Sequence, residues 1–227
     1  MTAKDMFSHR VSILTGHYGT VKTEVSVNLA LALAAEGEQV MLADLDIVNP
    51  YFRSRERRPL LEKAGVRVIS SSQACSDADV PALPAELLTI LENREIRGIL
   101  DIGGDPVGAR VLARFQPKIV QEDYQLIFVL NANRPEVRDA ESAAAYLRSI
   151  EAVTGLTCSG LVNNTHLCGE TTPAEIRKGV ALAQEVSRQT GIPILCHTAE
   201  RRFLESLSDL GEPVFPIAIN MKKPWER

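Results

Sequence analysis

Residues 11–23 read VSILTGHYGTVKT, and this stretch decides the fold that we expect for the chain. Its first five residues form an apolar run that ends at a glycine, which is typical of a strand covered on both faces. Residues 22–36 are mostly strong helix formers with apolar side chains on a wide face, so they predict a helix. A strand, a glycine-bearing loop and a helix are therefore expected in direct succession.

Similar apolar runs recur along the chain and alternate with helical stretches. The further predicted strands are 39–43, 66–70, 98–102, 126–130, 156–162 and 193–196. The further predicted helices are 139–153 and 173–190. Strands that alternate with helices indicate crossover connections and a mostly parallel sheet. We expect an α/β fold with a doubly wound sheet of about seven strands and helices on both faces. We also expect a single domain over residues 1–227 and a surface loop over 70–83.

Composition and charge exclude several classes of protein. The chain has 227 residues, of which 45% are hydrophobic and 24% charged, as in globular rather than disordered or fibrous proteins. Its 25 basic and 29 acidic residues give a net charge of −4, which disfavours nucleic acid as a partner. Four cysteines without a CxxC pair, no signal peptide and no long apolar segment favour the cytoplasm. Residues 221–227 are interrupted by Pro224 and are too short for a stable membrane anchor.

The loop after the first strand fits the phosphate-binding pattern G-x-x-x-x-G-K-[ST] at Gly16, Lys22 and Thr23. Backbone N–H groups of such a loop, together with the start of the next helix, bind anions. Lys22 would contact the β- and γ-phosphates, and the Thr23 hydroxyl would bind Mg²⁺. A plain turn between strand and helix is the alternative interpretation. The residues expected to bind the nucleotide phosphates are Gly16, His17, Tyr18, Gly19, Thr20, Val21, Lys22 and Thr23.

Val21 departs from the motif, which has glycine at this position. Its stiff, branched side chain adds a Cβ where the backbone approaches phosphate closely. We therefore expect Val21→Gly to strengthen nucleotide binding. Since glycine adds chain entropy at a helix start, we also expect this change to lower the stability of the fold.

Acidic residues lie at two further predicted strand ends. Asp44 and Asp46 follow the second strand at i and i+2, so they point the same way if the chain stays extended. Asp101 closes the apolar run of the fourth strand, a pattern whose carboxylate holds Mg²⁺. Gly104, three residues later, is placed to offer its backbone N–H to a γ-phosphate. Because ligands bind at the carboxyl ends of parallel strands, we expect these residues and Lys22 to converge on one cleft.

These motifs, in this order, make the chain similar to the MinD/ParA class of P-loop ATPases, which includes the nitrogenase iron protein and related metallochaperone ATPases. The similarity extends from the first strand to about residue 200. It rests on the family's loop G-K-G-G-x-G-K-[ST], which Gly16, Gly19, Lys22 and Thr23 match. His17 stands where the family has a signature lysine that reaches the phosphates of the partner in a nucleotide-sandwich dimer. The resemblance implies a P-loop NTPase fold, ATP and Mg²⁺ as ligands, and a nucleotide-dependent homodimer.

The resemblance also implies roles for single residues. Asp46 would position the hydrolytic water and form the catalytic pair with Lys22. The metal would be held by Thr23, Asp44 and Asp101.

Asn163 and Asn164 follow the sixth predicted strand, where related ATPases use an asparagine to bond the edge of adenine. Asn164 matches that position best, and Asn163 is the alternative. A guanine-specific site usually needs a carboxylate for the base N–H donors, and residues 163–166 contain none, so adenine is favoured over guanine. Both asparagines could instead shape a turn.

The sequence supports three hypotheses of function. The favoured one is an ATPase that acts as a switch, with ATP and ADP as its nucleotide ligands. It binds ATP with Mg²⁺, hydrolyses it slowly and regulates an unidentified protein client. The second is a degenerate relative that binds nucleotide weakly or not at all and acts as a scaffold, which rests on His17 and Val21. The third is a biosynthetic transferase on the same fold, which ranks last because no residues mark a pocket for a small substrate.

Overall fold

The computed structural model describes residues 1–46, 54–70 and 86–221. Within these residues, eight strands form one sheet in which every neighbouring pair runs parallel. The strands are β1 (Val11–Thr15), β2 (Gln39–Leu45), β3 (Arg67–Ser70), β4 (Ile96–Ile102), β5 (Tyr124–Leu130), β6 (Cys158–Asn163), β7 (Ile194–Glu200) and β8 (Val214–Ile217). Their order across the sheet is β3-β2-β4-β1-β5-β6-β7-β8, so β1 lies centrally, between β4 and β5.

Helices connect the strands on both faces of the sheet. They are α1 (Ala3–Met6), α2 (Lys22–Ala35), α3 (Arg58–Lys63), α4 (Glu86–Glu92), α5 (Pro106–Ala109), α6 (Gln116–Ile119), α7 (Ala140–Thr154) and α8 (Pro173–Thr190). In the described part of the chain, none of the helices is long and apolar enough to cross a membrane.

Two apolar layers cover the sheet, one on each face. Side chains alternate along β1, so that Ile13 packs in one layer and its neighbour Leu14 in the other. Helix α2 supplies buried residues such as Leu29 to the layer of Leu14. Helices α7 and α8 supply Leu147 and Val186 to the opposite layer. The predicted doubly wound α/β fold with helices on both faces is therefore confirmed.

The ends of the helices follow local signals in the sequence. Thr172 caps α8 by accepting a hydrogen bond from the backbone N–H of Glu175, and Pro173 takes the first helical position. Gly191 ends α8 in the left-handed conformation, with φ of 76°. Helix α2 is different, because Val21 stands at its N-cap and provides no side-chain hydrogen bond.

The sheet differs from the prediction at one edge and in the extent of several strands. The eighth strand, β8, contains Pro216, and a proline weakens the sequence signal for a strand although an edge strand tolerates it. Strand β2 continues to Leu45, so that Asp44 lies within the strand rather than after it. Strand β4 begins earlier than predicted, at Ile96, and Asp101 lies within it as the predicted range 98–102 implies. The predicted surface loop, from residue 71 onwards, and the tail 222–227 lie outside the described residues.

Candidate functional site

The carboxyl ends of the central strands bring the predicted acidic residues together. Asp101 on β4 is in register with Leu14 on β1 and with Asp44 on β2. Asp46 follows β2, and its backbone N–H donates to Oδ1 of Asp44 at 3.3 Å. Register and hydrogen bonding therefore bring three carboxyl groups close together, and all three residues, Asp44, Asp46 and Asp101, are buried.

The loop over 16–21, which the sequence predicts to bind phosphate and which is called the phosphate loop below, turns tightly at two glycines. Gly16 has a φ of 149°, and a Cβ there would lie 2.4 Å from the carbonyl oxygen of Val129. Gly19 also has a positive φ, of 81°. Thr20 closes the turn, since its backbone N–H and its hydroxyl both donate to the carbonyl of His17, at 3.0 and 2.9 Å. The two glycines therefore stand where other residues would be strained or would clash.

Val21 adopts a backbone conformation that glycine takes far more readily than valine. Its φ of 59° and ψ of 38° lie in the left-handed region, which branched residues strongly disfavour. Valine at this position therefore carries local backbone strain, which glycine would not.

Lys22, at the start of α2, is held by an acidic residue. Its ammonium donates to Oδ2 of Asp46 at 3.1 Å, and the two side chains are 6% and 7% exposed. A buried ion pair of this kind is strongly destabilised when either partner is removed alone. Lys22 and Asp46, the pair expected to act in catalysis, are thus in direct contact.

Asp101 is a buried carboxyl group with a raised pKa. It is 1% exposed, and neither of its side-chain oxygens has a hydrogen-bond partner among the described residues. Burial raises its pKa from 3.8 to about 7, with help from Asp44 and Asp46, while the Lys22 ammonium and the Thr23 hydroxyl oppose the shift. The Thr23 hydroxyl thus faces Asp101 without reaching the geometry of a hydrogen bond.

These residues fit a divalent cation that is shared with a phosphate. Two unpartnered carboxylate oxygens and a facing hydroxyl are the oxygen donors that Mg²⁺ prefers, and Mg²⁺ commonly takes only one or two carboxylates from a protein. No group of three or more His, Cys, Asp or Glu residues able to hold a metal by themselves occurs in the described ranges. The arrangement therefore suits an ion whose remaining ligands are phosphate and water.

The loop after β4 packs directly against the phosphate loop. A Cβ at Gly104 would lie 2.6 Å from the carbonyl oxygen of Gly16 and 3.0 Å from the backbone nitrogen of Tyr18. The hydroxyl of Tyr146 on α7 donates to the carbonyl of Gly104. Gly104 is thereby fixed beside the phosphate loop, and the contact of its N–H with a γ-phosphate stays a prediction.

His17 is engaged within its own chain. Its ring makes an edge contact with the ring of Tyr146 at 4.8 Å between centroids, and its Nδ1 lies 3.8 Å from a carboxylate oxygen of Glu136. The neighbouring Tyr18 is 56% exposed. In this conformation the side chain of Tyr18, not that of His17, projects most into solvent.

Asn164 braces the phosphate loop from the end of β6. Its Nδ2 donates to the carbonyls of Thr20 and Val21, at 2.9 and 3.2 Å, and its Oδ1 accepts from the hydroxyl of Thr198 at 2.6 Å. Asn164 and Asn163 are both 0% exposed, and the amide of Asn163 is bonded to Thr165 and Ile176. In this conformation neither amide presents a free edge to a base, and the expected contact with adenine stays a prediction.

Two residues that the sequence analysis did not single out complete the site. Arg134, in the loop after β5, donates from Nε to the carbonyl of Gly19 at 2.5 Å. His166, after β6, accepts the N–H of Cys168 at Nδ1, so a neutral ring carries its proton on Nε2. Burial and the charge of Arg134 lower the pKa of His166 to about 4. A search of the residues after every predicted strand, including the fifth, would have found Arg134.

Buried polar atoms without a hydrogen-bond partner gather at this edge of the sheet. Of the residues that the structure describes, such atoms occur at the carboxyl ends of four adjacent strands. They belong to Asp101 of β4, Thr15 of β1, Asn131 after β5 and His166 after β6. Since buried polar groups are normally hydrogen-bonded, this row makes the edge the candidate site for a polar ligand.

Solved structures share this architecture. The chain is similar to the cell division protein FtsY from Thermotoga maritima (21% identity, TM-score 0.56) and to chloroplast FtsY from Physcomitrella patens (16%, 0.55). It is also similar to the signal recognition particle 54 kDa protein from Aeropyrum pernix K1, solved in complex with GDP (20%, 0.50). The matches cover 81% to 82% of this chain, but 59%, 56% and 40% of those three chains. No protein-family model matches the chain, and no curated protein sequence matches it.

The fold is a P-loop NTPase-like α/β fold: a parallel sheet with a glycine-bearing loop between its central strand and the following helix. Sequence identities of 16% to 21% show a shared fold. They do not show which nucleotide the chain binds, which family it belongs to or which partner it has.

Proposed function

We propose that the chain is a nucleotide-dependent switch whose single P-loop domain binds a nucleoside triphosphate with Mg²⁺ and hydrolyses it slowly. The observation that carries the proposal is Asp101, a buried carboxylate whose two oxygens have no partner while the Thr23 hydroxyl and the Lys22 ammonium face it. Burial without a partner disfavours the charged form of this carboxyl group, and a bound cation with its phosphate would stabilise that form.

Each residue of the site has a part in this proposal. Lys22 binds the β- and γ-phosphates after leaving Asp46, which then orients the attacking water. Thr23, Asp44 and Asp101 would hold Mg²⁺. The bound ion would neutralise part of the phosphate charge. Backbone N–H groups of residues 16–21 and the start of α2 surround the phosphates.

We further propose ATP as the nucleotide and a MinD/ParA-like mode of action on a protein client, with a nucleotide-dependent homodimer. Residues 163–166 supply no carboxylate for a guanine, which favours adenine. GTP is the competing choice, because one protein of similar fold was solved with GDP. In the MinD/ParA family, the signature lysine contacts the phosphates of the partner in the homodimer. We do not assign this role to His17, because its ring contacts Tyr146 and Glu136 of the same chain.

A scaffold protein without nucleotide turnover is the second candidate. The observation in its favour is the buried pair of Lys22 and Asp46, which satisfies the phosphate-binding cation inside the protein. The strain at Val21 points the same way, since selection for tight phosphate binding would favour glycine there.

Competition binding and phosphate release test the proposal. We expect the purified chain to bind a fluorescent ATP analogue only with Mg²⁺, unlabelled ATP to displace it at lower concentration than GTP, and phosphate to be released slowly. Lys22→Met should abolish this binding, because it removes the phosphate-facing cation, and Lys118→Met is its control, because Lys118 forms only an exposed ion pair with Glu92. If only GTP displaced the analogue, the nucleotide of the proposal would be GTP instead of ATP. If neither nucleotide bound, the scaffold hypothesis would be the one that remains.

A further inference from the structure

Arg134 lies directly on the phosphate loop. Its Nε donates to the carbonyl of Gly19 at 2.5 Å, and a Cβ at Gly19 would lie 2.7 Å from the guanidinium carbon. Its own backbone N–H donates to the carbonyl of Asn131, which fixes the start of the side chain at the end of β5. The guanidinium is therefore positioned by the loop at one end and by the sheet at the other.

The outer part of this guanidinium has no partner in the described part of the chain. No described carboxylate lies within ion-pair distance of Arg134, and its two Nη groups make no hydrogen bond there. Arg10 and Arg177 are different, because carboxylates hold them both. Two neighbours along the loop edge, Asn131 and His166, also present buried nitrogens without a partner. The Nη groups of a guanidinium pair well with phosphate oxygens, so this edge favours an anion.

In this conformation the phosphate loop and the start of α2 present no basic side chain without a partner. His17 contacts Tyr146 and Glu136, and the Lys22 ammonium is held by Asp46. We propose that Arg134 is a phosphate-binding residue in cis: its two Nη groups contact the phosphate chain of the nucleotide held by residues 16–23 of the same chain. Arg134 thereby supplies the charge that His17 does not. This inference rests on the proposed nucleotide binding and assigns one more residue to that site.

The matched variants Arg134→Gln and Arg134→Ala distinguish contact of the Nη groups with phosphate from support of the loop through the hydrogen bond to Gly19. Gln places its Nε2 at the position of the arginine Nε, so it keeps the hydrogen bond to Gly19 and loses only the Nη groups and the charge. Ala loses both. Arg138→Gln is the control, since Arg138 is exposed and lies 3.6 Å from Asp139.

Calorimetric titration of the full chain with Mg-ATP and Mg-ADP is the test. We expect Arg134→Gln and Arg134→Ala to weaken binding alike, by about 10- to 100-fold, because both lose charge-assisted hydrogen bonds to phosphate. Arg138→Gln should bind like the unaltered chain. If Arg134→Gln binds like the unaltered chain, Arg134 only supports the loop and the inference is overturned, while the proposed function stands. If the unaltered chain binds neither nucleotide, both are overturned.

Discussion

Lys22 donates a hydrogen bond to Asp46 across 3.1 Å, with both side chains buried. The residue that would bind phosphate is thus held by the residue that would orient water. In the proposed function, nucleotide binding would exchange one partner of Lys22 for another and would free Asp46 to orient water. The contact would thereby couple occupancy of the loop to the availability of the Asp46 carboxylate.

The exchange predicts an unusual behaviour of Asp46→Asn. The change leaves the Lys22 ammonium buried without its carboxylate, which should lower the free energy of unfolding by about 3 kcal/mol. Because phosphate no longer competes with Asp46, affinity for Mg-ATP should rise on the order of tenfold. Phosphate release should fall at least about 100-fold, since the group that orients water is lost. Thermal unfolding with and without Mg-ATP measures the first two effects, and weaker binding by the variant would contradict the exchange.

Val21→Gly should stabilise the protein. Relief of the left-handed conformation is worth about 1–2 kcal/mol, and the entropy of glycine offsets about 0.5–1 kcal/mol of it. The melting temperature should therefore rise by roughly 2–4 °C for each kcal/mol of net gain. Val21→Ala is the control, because alanine keeps a Cβ in the same conformation and should gain much less. The sequence alone predicts the opposite sign for stability, since it does not show the φ of 59° at this residue.

The pKa of Asp101 predicts how stability depends on pH. The folded chain keeps a proton on Asp101 up to about pH 7, whereas the unfolded chain releases it near 3.8. The unfolded state therefore binds fewer protons in this window, and the contribution of Asp101 to stability is lost as pH rises through it. His166 acts in the opposite direction, because its pKa is lowered from 6.5 to about 4 and its contribution is lost as pH falls.

Comparison with Asp101→Asn isolates the carboxyl group from His166. Without Mg²⁺, the variant should be more stable than the unaltered chain at pH 8, by on the order of 4 kcal/mol at most. At pH 4 the difference should be close to zero, since Asp101 is then protonated. Urea unfolding at the two pH values measures both numbers. A difference that does not change with pH would show that Asp101 is charged or solvated in the folded protein.

Gly104→Ala should separate the loop after β4 from the phosphate loop. The new Cβ would lie 2.6 Å from the carbonyl oxygen of Gly16, so one of the two loops must move. We expect a loss of about 1–3 kcal/mol in stability and weaker binding of Mg-ATP. Gly211→Ala is the matched control, because nothing lies within 4 Å of its added Cβ. Equal behaviour of the two variants would place Gly104 away from the loop in solution.

Asn164→Ala distinguishes a brace from a contact with the base. Loss of the amide removes the Asn164 donor to the carbonyl of Thr20, and leaves the carbonyl of Val21 with only the N–H of Glu24, at a cost of about 1–3 kcal/mol. If Asn164 acts through the loop, affinities for ATP and GTP should fall by the same factor. Thr198→Val, which removes the donor to Oδ1 of Asn164, should show a smaller effect of the same kind. A loss confined to ATP would instead establish the contact with adenine.

The sequence predicts the fold and the gathering of the acidic residues because both follow from local patterns. Apolar runs, caps and the carboxyl-edge rule need no knowledge of tertiary contacts, and they place Lys22, Asp46 and Asp101 together. The sequence could not show that Lys22 pairs with Asp46 or that Arg134 reaches Gly19. Those contacts join residues 24 and 115 positions apart, and their geometry depends on how separate loops pack.

The central claim, that the loop binds a nucleoside triphosphate with Mg²⁺, is tested most directly by calorimetric titration of Mg-ATP into two proteins. One is the unaltered chain, and the other carries Lys22→Met with Asp46→Asn, which removes the buried pair as a unit and avoids an unpaired charge. We predict one site per unaltered chain, dependent on Mg²⁺, and at least about 100-fold weaker binding by the folded double variant. No binding by the unaltered chain, or equal binding by both proteins, would contradict the claim.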